Sequence, residues 1–147
     1  MNHLESTKTV AKLGTADTTT AQTFTSSIDM LGYDYASIDV VFEANAATTD
    51  AVATSLELGQ SDTNSAFVDV TAFVGDGTGG FTIPTTSLTG ASNVVRFNVD
   101  MRGKKRYLQV SATPIAASVV CSVVRLGKGE VGPVSAADVG VAAVVSG

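Results

Sequence analysis

The sequence predicts an all-β chain: a two-sheet antiparallel β-sandwich, jelly-roll-like or Greek-key, of about eight strands. Three observations predict it. Apolar and polar residues alternate with period two in segment after segment, the pattern of a strand with one face on a core. The chain is dominated by Ala, Val, Thr, Ser and Gly and has no Trp, and small and β-branched residues favour strands and short turns over long amphipathic helices. Turn signals recur about every 8 to 12 residues. At 147 residues the chain is one domain, able to bury roughly two thirds of the surface its unfolded state exposes.

In chain order, Lys8 to Leu13 and Ala21 to Ser26 read as strands. In the next, Ala36, Ile38, Val40, Phe42 and Ala44 face one way, opposed by Ser37, Asp39 and Glu43. Strands follow at Val52 to Leu58 and Ala66 to Phe73, then a long glycine-rich loop from Gly75 to Ala91. The cleanest alternation is Asn93 to Arg102, with Val95, Phe97, Val99 and Met101 inside. Gly103 and Lys104 then read as a two-residue type II′ hairpin turn. The return strand, Lys105 to Thr113, puts Leu108, Val110 and Ala112 inside and stops at Pro114, which lacks the amide a central strand needs. In the last strand, Ile115 to Leu126, the core face is read as Ala117, Val119, Cys121 and Val123, making Cys121 a core thiol. The sandwich is expected to span residues 1–134, with 135–147 a C-terminal arm, either a strand or disordered. Jelly-roll and immunoglobulin-like strand orders share these signals, so both stay open.

Charge is partitioned along the chain. No Lys or Arg falls between Leu13 and Val95, where ten carboxylates lie from Asp17 to Asp76, and four bases crowd into Arg102, Lys104, Lys105 and Arg106. Such a partition points to a surface that meets other surfaces. The net charge of −5 argues against nucleic acid as a partner. Met1 to Leu13 has no apolar run behind a basic segment, so no secretory signal is expected. The most apolar stretch, Val139 to Val145, is far short of the roughly 20 residues that span a bilayer, so no membrane partner is expected. With Cys121 as its one cysteine, the monomer forms no disulfide.

Sites of chemistry are sparse. His3, the sole histidine, lies near the terminus, so neither a zinc site nor a Ser-His-Asp triad is expected. Gly127 to Gly132 matches the letters G-x-G-x-x-G, but Pro133 follows where the dinucleotide motif needs a helix; the segment reads as a loop. Asp69 and Asp76 lack the ligand spacing of an EF-hand and read as a surface loop. Tyr33 and Tyr35 read as core or interface residues, with a sugar-stacking platform as the alternative. The group at residues 102 to 106 is the best functional candidate, with Arg106 facing the core and needing a carboxylate or carbonyl partner. The candidate interface is Arg102, Lys104, Lys105, Arg106, Tyr107, Tyr33 and Tyr35; no catalytic, cofactor or metal residues are assigned.

Three segments together carry a family resemblance. Asp29-Met30-Leu31-Gly32-Tyr33-Asp34-Tyr35 leads into an apolar strand, Gly103-Lys104-Lys105-Arg106-Tyr107 forms a turn and strand, and Val124-Arg125-Leu126-Gly127 is followed by Gly132-Pro133-Val134. In that order they resemble small head decoration, or cement, proteins of tailed bacteriophages over residues 28 to 134. The chain departs from that pattern in a longer Gly75 to Ala91 loop, in Lys128-Gly129-Glu130 where the family carries His-Pro-Arg, and in the tail after Val134. The resemblance implies a virion structural protein: a trimeric β-sandwich on the outside of the capsid that binds the major capsid protein and itself, with no active site or cofactor. A tail or head-fibre component and a carbohydrate-binding module are the competing readings. A hydrolase resting on Asp34 with Asp39 or Asp100 is the weakest.

Overall fold

The computed structural model describes residues 7–14, 22–43, 51–85 and 93–129, and the alternating segments among them form eight strands. These are β1 (Lys8–Leu13), β2 (Phe24–Asp29), β3 (Tyr33–Phe42), β4 (Ala53–Ser61), β5 (Val68–Val74), β6 (Val94–Asp100), β7 (Tyr107–Pro114) and β8 (Val120–Gly129). They build two antiparallel sheets, ordered β1-β8-β3-β6 and β2-β7-β4-β5. Four pairings nest like one long hairpin: β1 with β8, β2 with β7, β3 with β6 and β4 with β5. Two more, β3 with β8 and β4 with β7, roll that hairpin into two layers. This is the jelly-roll order, and it settles the choice against an immunoglobulin-like one. The expected arm at 135–147 and His3 lie outside the described residues.

The inner faces meet as the alternation predicts in β3, β6 and β7. Ile38, Val40, Leu58, Leu108, Val110 and Val124 are sealed from water, and each such aliphatic side chain contributes about 1.5–3 kcal/mol. Along one open side of the sandwich, edge strand β1 turns Lys8 and Lys12 inward. The Lys12 ammonium crosses to the β2 carbonyl of Thr25 at 2.5 Å and lies 5.8 Å from the centre of the Phe24 ring. Inward-pointing lysines also make an edge strand a poor template for a second chain. On the opposite side, Phe73 and Phe81 each meet Phe97 edge-to-face at 5.5 Å, joining β5 and its following loop to β6.

Four expectations are overturned. Residues 101 to 107 do not make a hairpin, because β6 and β7 belong to different sheets. The chain does reverse there: Lys104 N donates to Met101 O at 2.9 Å, and Gly103, at φ +73°, is the third residue of that turn. A positive φ at that position alone marks type II, and it suits a crossover between layers where type II′ would have paired adjacent strands. Arg106 is exposed rather than core-facing, because strand alternation starts only at Tyr107.

The phase of the last strand is also reversed. Val120, Ser122, Val124 and Leu126 face inward, leaving Cys121 half-buried on the outer face beside Val123 and Arg125. Either phase offers valines, but the rejected one would bury Arg125. An unpaired buried charge costs far more than the Ser122 hydroxyl, which is buried without a partner among the described residues. Finally, Gly127 and Gly129 are strand residues paired with Tyr35 and Tyr33, not a loop.

The 75–85 loop folds tightly onto the end of β5. A Cβ on Gly80 would stand 1.8 Å from Val74 O. Asp76 donates its amide to Phe81 O at 2.7 Å, and its carboxylate accepts the Ile83 amide at 3.1 Å. That carboxylate therefore braces the loop.

Candidate functional site

The crossover from β6 to β7 brings the basic group to one end of the sandwich, where it meets acids from the carboxylate-rich half. Arg106 grips Asp29 in a two-bond fork, Nε–Oδ1 2.9 Å and Nη2–Oδ2 2.6 Å, and its guanidinium carbon lies 4.7 Å from the centre of the Tyr107 ring. Lys105 reaches Asp62 at 2.9 Å, and Arg102 reaches Asp100 at 2.5 Å. The sequence pattern of a basic patch thus becomes a set of ion pairs, and Lys104 is the member with no ion pair among the described residues. Hydrogen bonding from Arg106 holds the Asp29 carboxyl below the usual range. Hydrogen bonding from Arg102, side chain and then backbone, lowers Asp100 to about 2.

The two tyrosines part company. Tyr33 leans on the core and lines a depression of about 350 Å³ beside Leu31, Met101, Lys104 and Arg106. Tyr35 lies on the outer face of the β1-β8-β3-β6 sheet, 37% exposed. Register arranges that face in rows. Leu13, Cys121, Val41 and Val94 form an apolar row across four strands. The next row is Ala11, Val123, Asp39 and Arg96, the last two joined by a fork at 2.6 and 2.8 Å. Then come Thr9, Arg125, Ser37 and Asn98, and beyond them Gly127, Tyr35 and Asp100. The face is therefore apolar at one end. At the other end it is a trough of about 860 Å³ in which Thr9, Ser37, Asn98 and Arg125 set polar groups among apolar surface.

The opposite sheet differs. Its outer face carries Ser, Thr and Gln side chains that bond one another, as in Thr23 to Thr113 at 2.8 Å and Gln109 to Ser27 at 3.0 Å, beside Glu57, Asp29 and Tyr107. Among the described residues no three His, Cys, Asp or Glu gather as metal ligands would. Asp39 and Asp100 are each held ionised by an arginine, so neither supplies the proton that a general acid must give. Comparison of the chain with protein-family models, curated proteins and solved structures finds no match. Tyr35 was legible in the sequence as a candidate, but the apolar row and the β8 side of the trough were not, because they lie on the face of β8 that the reversed phase assigned to the core.

Proposed function

We propose that the chain is a virion structural protein that decorates the outside of a phage head, binds the major capsid protein and itself as a homotrimer, and clamps neighbouring capsid subunits. The observation that carries this reading is the apolar row of Leu13, Cys121, Val41 and Val94. Leu13 is 78% and Val94 39% exposed, and Ala11 and Val123 extend the row. A contiguous apolar patch on an isolated chain marks a surface for another protein. The segments that carry the family resemblance support the reading by meeting in space. Met30 N donates to Arg106 O at 3.0 Å, Arg106 holds Asp29, and Tyr35 pairs with Gly127. Lys104, at the same end as the ion-paired turn, is a second proposed point of contact.

The test is cosedimentation with capsids assembled from the major capsid protein of the same virus, beside light scattering of the free protein. The wild-type protein is expected to sediment with capsids and to scatter as a trimer. In the double variant Leu13→Asp/Val94→Asp both sites face water, so stability should shift by only about 0.5 kcal/mol. Capsid affinity should drop by about tenfold or more, equivalent to about 1.4 kcal/mol. The Cys121 thiol should react in the free protein and be protected on capsids. Full occupancy by the double variant, with no thiol protection, would remove the row from the contact. A wild-type protein that stays monomeric and ignores capsids would sink the proposal.

A further inference from the structure

We propose that the trough on the outer face of the β1-β8-β3-β6 sheet binds a saccharide bearing a carboxylate, with Tyr35 as its stacking surface and Arg125 as the partner of its acid group. This inference does not depend on a capsid role.

The first argument is Gly127. Glycine inside a strand is unfavourable by roughly 0.5–1 kcal/mol relative to alanine, and it normally has a reason: a positive φ, a bulge, or a neighbour that leaves no room. None applies. The positive-φ glycines among the described residues are Gly32, Gly79 and Gly103, and the pairing of β8 with β3 runs through Gly127 without a register shift. A Cβ on Gly127 would meet nothing within 4 Å. The remaining reason is close approach of a ligand. The missing side chain makes the floor of the trough, with the Tyr35 ring standing beside it.

The second argument is the chemistry left uncommitted there. Of the four arginines, Arg96, Arg102 and Arg106 each hold a carboxylate. Arg125 makes no ion pair or hydrogen bond among the described residues, and its guanidinium fork fits a carboxylate. Thr9, Ser37 and Asn98, in the same row, also make no side-chain hydrogen bond among the described residues. They offer hydroxyl and amide groups that donate and accept, as sugar hydroxyls require. The nearby acids do not oppose an anion, because Asp39 and Asp100 are neutralised by Arg96 and Arg102. One guanidinium that holds no ion pair among the described residues, on a chain of net charge −5, suits a single acid group and not a polyanion. An extended peptide would seek a sheet edge, whereas the trough lies on a face where Gly127 is already paired with Tyr35.

The experiment is titration of the full chain with short oligosaccharides that carry one glucuronic or galacturonic acid residue, and in parallel with their neutral counterparts, followed by calorimetry and by NMR shifts. Saturable binding of the acidic series is expected, with a preference over the neutral one. Arg125→Gln should weaken acidic binding about tenfold, the size of one charge-assisted contact, and leave any neutral binding unchanged. Gly127→Val should abolish binding while circular dichroism stays native, because valine favours strands and the site has room. Should Gly127→Val misfold, Tyr35→Ala carries the same test. No saturation by acidic saccharides at about 10 mM, well above the affinity a useful site needs, overturns the proposal. So does equal affinity for the neutral series, or binding that survives these variants.

Discussion

Ser122 shows what a single inward side chain costs. The residue is 1% exposed and stands on the core face between Val120 and Val124, and its hydroxyl has no hydrogen-bond partner among the described residues. A buried unsatisfied hydroxyl costs about 1–3 kcal/mol. Ser122→Ala should therefore raise the free energy of unfolding by about 1 kcal/mol in urea titrations. A fall instead would mean that the hydroxyl is satisfied in solution. The same residue explains why the face of β8 was not legible. In β3 and β6 nearly all polar residues share one face, so period two assigns the core directly. In β8, Ser122 and Arg125 sit on opposite faces and valines on both, so alternation is silent. Only the rule that charge outranks a hydroxyl in the penalty for burial selects the phase, and with it the exposure of Cys121 and the trough at Gly127.

Between elements, the partition of charge along the sequence becomes a set of cross-links. Acids of the first half meet bases of the second: Asp29 of β2 with Arg106 ahead of β7, Asp39 of β3 with Arg96 of β6, and Asp62 after β4 with Lys105. Each is partly exposed and worth only about 0–1 kcal/mol, so they guide pairing more than they hold it. Their pH dependence has a definite sign. Hydrogen bonds from arginine lower Asp29 and Asp39 below the ordinary carboxylate value, so the folded state binds fewer protons than the unfolded state in that range. Stability from these pairs is complete above the unfolded carboxylate value of about 4 and is lost as pH falls through the lowered folded values. Denaturation followed from pH 7 downward should show a drop below about 4 that Asp39→Asn reduces. An identical acid limb in that variant would remove the pair from the account. The turn at Gly103 marks a limit of reading at this scale. Its glycine signals a reversal of the chain, but turn chemistry does not say whether the next strand joins the same sheet or the facing one.

For the whole molecule, strand count and two-layer architecture were legible because they rest on local alternation. Strand order was not. The jelly roll is defined by pairings such as β1 with β8, between residues more than a hundred positions apart, and no local pattern encodes which distant strand is the neighbour. That same pairing has a mechanical consequence. Lys8 lies opposite Leu126, so Thr7 and Gly129 stand at one end of the same strand pair. A pull on these two flanks peels β1 from β8 one hydrogen-bonded pair at a time, because the ladder bonds run perpendicular to the strands. A pull applied at Gly14 and Gly129 loads the whole ladder at once. Single-molecule stretching should therefore find a clearly lower rupture force for the first geometry, and equal forces would show that another element yields first. A sandwich held by both flanks would be a fuse in its own tether, opening at β1 while the remaining seven strands are still packed.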